Sequence, residues 1–205
     1  MLQNRRVYTQ IPLTALFLIA APVAFADAVS DLIDVPGTTW RQSQPITARM
    51  EKQGANTPLR LTVHFTDEPK NFTKPLVAKL RVLFQYSLNV IEGTKKKLWG
   101  DIPYHYYIDA NGKLGEARSP AYMPDSNTAY NRDGHITIVL EGNLKDGITG
   151  PQRKKLNALL QALQEKYKIP TARVGVHKDY AETDCPGPVI TKVLEDYKSS
   201  RGVLN

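Results

Sequence analysis

The chain is predicted to fold as one mixed α/β domain, a central mixed β-sheet flanked by about three α-helices. Three observations predict it. Residues 59–66 alternate apolar and polar side chains with a strand's period of two, and 136–140 form a β-branched run suited to a central strand. Leu76, Val77, Leu80, Phe84, Leu88 and Ile91 recur at helical spacing. The order of elements is strand, helix, hairpin, strand, helix, strand, helix, for which one sheet covered by helices is the simplest packing.

Residues 1–26 resemble a secretory leader. Arg5 and Arg6 precede the uncharged run Ile11–Ala21, and Ala24-Phe25-Ala26 fits a small-x-small cleavage site, with a cut after Ala28 as the alternative. Residues 27–58 hold Pro36-Gly37, Pro45 and Pro58 and read as an extended arm that packs Trp40 onto the domain. In the strand over 59–66, Leu61, Val63 and Phe65 share one face, while Thr62 and His64 share the other, His64 near the strand's end. The helix from Leu76 is expected to close at Gly93, with Lys95-Lys96-Lys97 as a solvated helix end.

Residues 102–109 and 113–117 read as a hairpin around Ala110-Asn111-Gly112, followed by a polar loop over 119–134. Thr149, Pro151 and Gln152 mark a helix start with capping-box character. That helix carries Leu156, Leu159, Leu160 and Leu163 on one face and stops before Pro170. A short strand over 172–176 then delivers His177. Pro186-Gly187-Pro188 leads into a last helix with Ile190, Val193, Leu194 and Tyr197 inward. The domain is expected to span 59–200, leaving 201–205 as a tail.

The chain has 205 residues, of which 27 are Lys or Arg and 20 are Asp or Glu. Without the leader, which carries two arginines and no acid, 25 basic and 20 acidic residues remain, a net charge of +5. That excess suits anionic surfaces without identifying one. The aromatics are not interleaved with a basic stripe, which argues against nucleic acid as a partner.

Cys185 is the only cysteine, and it lies eight residues after His177. An unpaired thiol is a liability in an oxidising compartment, whereas ligation by a metal gives it a reason to persist. His64 and His177 both end short apolar strands, so two imidazoles and one thiolate could converge on an ion. Three protein ligands match a catalytic zinc site, since structural zinc sites use four. The spacing alone leaves this open: Asp179, Glu182 and Asp184 crowd the same loop and could supply a carboxylate instead. His105 reads as structural and His135 as a loop-edge residue. Glu141 reads as a strand-end carboxylate, with an outer hydrogen bond to a ligand histidine as the lesser alternative.

Three segments carry a family resemblance: VHFT at 63–66, W-x-D-I-P-Y-H-Y-Y-I-D-x-N-G-K at 99–113, and H-K-D-Y-A-E-T-D-C-P-G at 177–187. Glu116 and Arg118, the I-x-I-x-L-x-G-N run at 136–143 and the T-x-x-Q-x(3)-L-x-x-L-L helix at 149–160 extend it. Together they resemble the zinc N-acetylmuramoyl-L-alanine amidases of the phage-lysozyme and peptidoglycan-recognition-protein type, over roughly Trp40 to Tyr197. The resemblance implies that His64, His177 and Cys185 hold Zn2+, that Tyr104 stands beside the metal as an oxyanion donor, and that Thr183 lies near the leaving group or oxyanion. It implies hydrolysis of the amide between N-acetylmuramic acid and the L-alanine of the stem peptide, with peptidoglycan or muropeptides as partners; the leader-like segment predicts export to the periplasm or outside the cell, and a monomer is expected. The alternative is a peptidoglycan-binding module without catalysis, against which Cys185 argues. The chain departs from the family pattern at Pro103, at Ser126 where many members have histidine, at Thr137, and at Val139 where some carry a glutamate base. Those departures argue against the glutamate-dependent variant and for altered contacts in the 119–135 loop.

Overall fold

The alternating and helical patterns become the layers expected of them in a computed structural model, which describes residues 27–55, 58–89, 91–92, 95–96 and 98–202. The leader expected over 1–26, Gly93 and residues 203–205 lie outside the described residues. The chain enters through two short helices, α1 (Ala28–Leu32) and α2 (Gly37–Trp40), then strand β1 (Arg60–Phe65) and helix α3 (Leu76–Asn89). A small ribbon, β2 (Ile91–Glu92) with β3 (Lys95–Lys96), precedes the hairpin of β4 (Tyr106–Ile108) and β5 (Leu114–Glu116). Strand β6 (His135–Leu140), helix α4 (Gly150–Tyr167), strand β7 (Val174–Val176) and helix α5 (Pro188–Gly202) complete it.

Five strands form one sheet in the order β5-β4-β6-β1-β7. Three of the four pairings are parallel and only β4 with β5 is antiparallel, so the sheet is mixed as expected. Its two faces differ. Leu61, Val63, Ile136, Ile138 and Leu140 pack against the α4 leucines 156, 159, 160 and 163 and against Ile190, Leu194 and Tyr197 of α5. Each fully buried leucine there contributes about 1.5–3 kcal/mol. On the other face Leu76, Leu80 and Phe84 of α3 meet Trp40, Tyr107 and Val139.

Local chemistry sets the ends of these elements. The Thr149 hydroxyl accepts from Gln152 N–H and the Gln152 side chain accepts from Thr149 N–H, both at 3.1 Å, a complete capping box for α4. Lys168 closes that helix in the left-handed conformation, two residues before Pro170. In the β4–β5 turn Gly112 has φ +77°, and a Cβ there would meet the Pro151 backbone at 2.6 Å, so glycine is required where the hairpin abuts α4.

Several expectations need correction. Residues 27–58 are not a plain extended arm, because Asp27 caps α1 and a second helical turn carries Trp40 inward. Trp40 is fully buried as expected, its ring edge-on to Phe84 and its Nε1–H donating to Glu116 O. Lys95 and Lys96 pair across a ribbon rather than ending a helix, since α3 stops at Asn89. Strand β4 starts only at Tyr106, although His105 still exchanges backbone bonds with Thr137 and Ala117. The last helix runs to Gly202, two residues past the expected domain end. No helix among the described residues is long and apolar enough to cross a membrane.

Candidate metal centre

Strand direction brings the site together. β1 and β7 are parallel neighbours with Val63 opposite Val176, so the next residues, His64 and His177, emerge side by side at the carboxyl ends of the two strands. Their ring centroids are 4.3 Å apart. The loop after His177 folds back and places Cys185 over the end of β1. Lys178 N–H donates to Cys185 O at 3.0 Å, and Phe65 N–H points at Cys185 Sγ from 3.4 Å. Carboxyl ends of parallel strands are where open α/β sheets place their ligands, because loops rather than strands meet there.

The ligand-capable atoms of His64, His177 and Cys185 lie within 4.8 Å of one another, and among the described residues no other trio of His, Cys, Asp or Glu converges in this way. His64 Nδ1 is 3.9 Å from Cys185 Sγ. Atoms bound to one tetrahedral zinc at about 2.0–2.1 Å (nitrogen) and about 2.3 Å (sulfur) stand about 3.3–3.6 Å apart, so this spacing is close to that of shared ligands. Both histidines are buried, at 2% and 6% exposure. Burial, reinforced by the other histidines, holds His64 well below the usual imidazole range, and burial lowers His177 as well. Two neutral rings near pH 7 are in the state a metal requires. Burial pushes the Cys185 thiol up to about 12, against the pull of the Phe65 N–H. Ionising that sulfur needs a cation beside it. The donor set of two imidazoles and one thiol fits zinc by charge, number and softness.

The surroundings are unequal. Tyr104 packs at the edge of the Trp40 cluster with its ring 5.3 Å from that of His64, and burial raises its hydroxyl far above the normal tyrosine range. It is therefore a permanent donor. Val139 lies directly across from His64 in the sheet and Tyr107 across from Val139, so the wall beside His64 is apolar. Thr183 Oγ1 accepts from Cys185 N–H at 3.2 Å, which puts this hydroxyl on the loop that carries the sulfur. Thr128 and Tyr130 from the 119–134 loop also reach His177, at 2.6 Å from Oγ1 to Nε2 and 5.5 Å between rings. Sequence reading had no means to single these out. A threonine and a tyrosine in a polar loop about fifty residues away carry no spacing signal.

The other titratable candidates are elsewhere engaged. His105 is fully buried and structural: Thr137 N–H donates to its Nδ1 at 2.9 Å and its Nε2 meets Tyr122 O at 2.9 Å. His135 is not a loop-edge residue; it opens β6, is buried, and bonds Thr62 Oγ1 at 2.7 Å. Glu141 bonds no histidine but pairs with Lys79 at 2.7 Å and accepts from Ala110 and Asn71 N–H. Asp179 accepts from Val176 N–H at 2.9 Å, and Glu182 and Asp184 point to solvent, so no carboxylate joins the trio.

The sequence model for N-acetylmuramoyl-L-alanine amidase matches residues 54–188. Peptidoglycan-recognition protein SD of Drosophila melanogaster is 28% identical over 106 residues, which cover 50% of this chain and 55% of that protein. The chain thus spans about half the length of the curated relative it matches. The crystal structure of the Drosophila protein of that name superposes with a TM-score of 0.65 at 20% identity, covering 80% of this chain and 94% of the other. The N-acetylmuramoyl-L-alanine amidase endolysin LysCS of Clostridium intestinale superposes with a TM-score of 0.56 at 22% identity, covering 82% and 94%.

Proposed function

The chain belongs to the N-acetylmuramoyl-L-alanine amidase family, and we propose that it is a zinc-dependent amidase cutting the bond between N-acetylmuramic acid and the L-alanine of the peptidoglycan stem peptide. The observation that carries this reading is the convergence of His64, His177 and Cys185 within ligand distance of one another. These three residues would hold the ion. Zinc held there supplies Lewis acidity toward a carbonyl oxygen and makes water nucleophilic near neutral pH, the pKa of bound water falling to about 7.

The chain's own groups then have definite tasks. His64 and His177 remain neutral and Cys185 contributes the negative charge, so three protein ligands carry one charge between them. Tyr104 holds its proton and donates it, as a hydrogen bond, to the oxygen on which charge develops. Thr183 steadies the Cys185 loop by accepting from Cys185 N–H, and its hydroxyl acts near the leaving group or oxyanion. Val139 opposite His64 makes that wall apolar, so this position supplies no carboxylate base. Residues 1–26 act as an export leader, and 27–58 pack on a catalytic domain that begins near 59 and includes α5 to Gly202. The mature protein works outside the cytoplasm as a monomer.

A second reading has one observation in its favour: the 28% identical relative carries the name of a recognition protein. In that reading the same face of the domain binds muropeptides without cutting them. Incubating purified protein with muropeptides, with and without a chelator, separates the two. The amidase reading expects free stem peptides that disappear on chelation and return with zinc. Binding without release at any zinc level sinks it in favour of recognition.

A further inference from the structure

Two hydroxyls meet the outer nitrogen of His177. Thr128 Oγ1 lies 2.6 Å from Nε2 and Ser126 Oγ lies 3.4 Å from it. The two hydroxyl oxygens are 2.8 Å apart, and Thr128 N–H donates to Ser126 Oγ at 3.2 Å, so Ser126 fixes both ends of Thr128. The neighbouring Asp125 is tied to Arg118 at 2.6 Å and to Arg132, which holds this stretch of loop against the domain. His64 has no such arrangement: its Nε2 is buried and has no hydrogen-bond partner.

A neutral imidazole carries one proton, and the partner of one nitrogen decides the state of the other. If Thr128 donates to Nε2, the proton sits on Nδ1 and that nitrogen cannot bind a metal. If Nε2–H donates to Thr128, Nδ1 is left with its lone pair. Ser126 Oγ bears on the choice, because its oxygen is 2.8 Å from Thr128 Oγ1. It stands within reach of the Thr128 O–H and has a free lone pair to accept it, so Thr128 Oγ1 can receive from His177. We infer that Thr128, backed by Ser126, is the positioning residue of the centre: it locks the His177 ring and its Nε2–H tautomer so that Nδ1 faces Cys185 and His64. The inference rests on the reading of His177 as a zinc ligand.

The test compares wild type with Thr128→Val, Thr128→Ser and Cys185→Ser. Zinc affinity is measured by competition with a chelating indicator, and the His177 tautomer by long-range nitrogen–proton NMR of the zinc-free protein. Thr128→Val keeps the shape and loses the hydroxyl; it should bind zinc 10- to 100-fold more weakly, in the range found for outer-shell partners of metal-bound histidines. Thr128→Ser should restore binding to within about threefold of wild type, and the NMR should show Nε2–H in both hydroxyl-bearing proteins and a mixture in the valine variant. Wild-type affinity and an unchanged tautomer in Thr128→Val overturn the inference. If Cys185→Ser binds zinc as tightly as wild type, the ligand reading fails instead, and the tautomer spectra alone then decide the role of Thr128.

Discussion

Replacing Tyr104 by Phe removes one oxygen from the candidate site and little else. The ring lies 5.3 Å from His64 and packs against the cluster that holds Val139 and Tyr107, so phenylalanine keeps its place. What goes is a donor that burial keeps protonated. Loss of one preorganised donor to an oxyanion typically costs about 2.7–4 kcal/mol, a 100- to 1,000-fold fall in kcat. A ground-state carbonyl accepts more weakly than an oxyanion, so KM should move by no more than about threefold. The assay is release of stem peptide from a defined muropeptide, alongside zinc content and thermal unfolding, both of which should match wild type. A variant with zinc and fold intact and kcat within about threefold of wild type would refute the assignment.

Other consequences follow from the buried groups around the sheet. Lys79 is enclosed with Glu141 at 2.7 Å and Asp109 at 3.6 Å, so Lys79→Met leaves two buried carboxylates without their cation. The variant should lose about 3–5 kcal/mol in urea unfolding while keeping its zinc affinity, and a loss under about 1 kcal/mol would contradict this. His105 is held neutral by the Thr137 N–H donated to its Nδ1, and burial lowers its pKa to about 3. The unfolded chain takes up that proton near pH 6.5, so stability is greatest above that pH and falls as pH drops toward 3, by at most about 1.4 kcal/mol per unit from this ring. His105→Gln should flatten the slope of unfolding free energy between pH 6.5 and 4.5, and parallel slopes would remove His105 as the cause.

Much of this architecture was legible because it rests on periodic burial. The alternation around Leu61, Val63 and Phe65, and the leucines 156–163, point to the same core from opposite sides, and both appear there. His64 and His177 were legible because strand ends are where side chains of an α/β sheet become available. Helices α1 and α2 were not, since five and four residues are too short to show a period and depend on Asp27 capping and on burial of Trp40. His135 looked peripheral because it follows Gly134, and only the fold reveals Tyr130 and Tyr180 closing over it. The Thr128 contact to His177 joins loops 49 residues apart, a distance at which one hydroxyl is indistinguishable in sequence from its neighbours.

Zinc K-edge absorption of the metal-loaded protein addresses the coordination itself. A single sulfur at about 2.3 Å with nitrogen or oxygen neighbours at about 2.0–2.1 Å is the expected shell, and Cys185→Ser should erase the sulfur while the fold persists. A wild-type spectrum without sulfur would contradict the account.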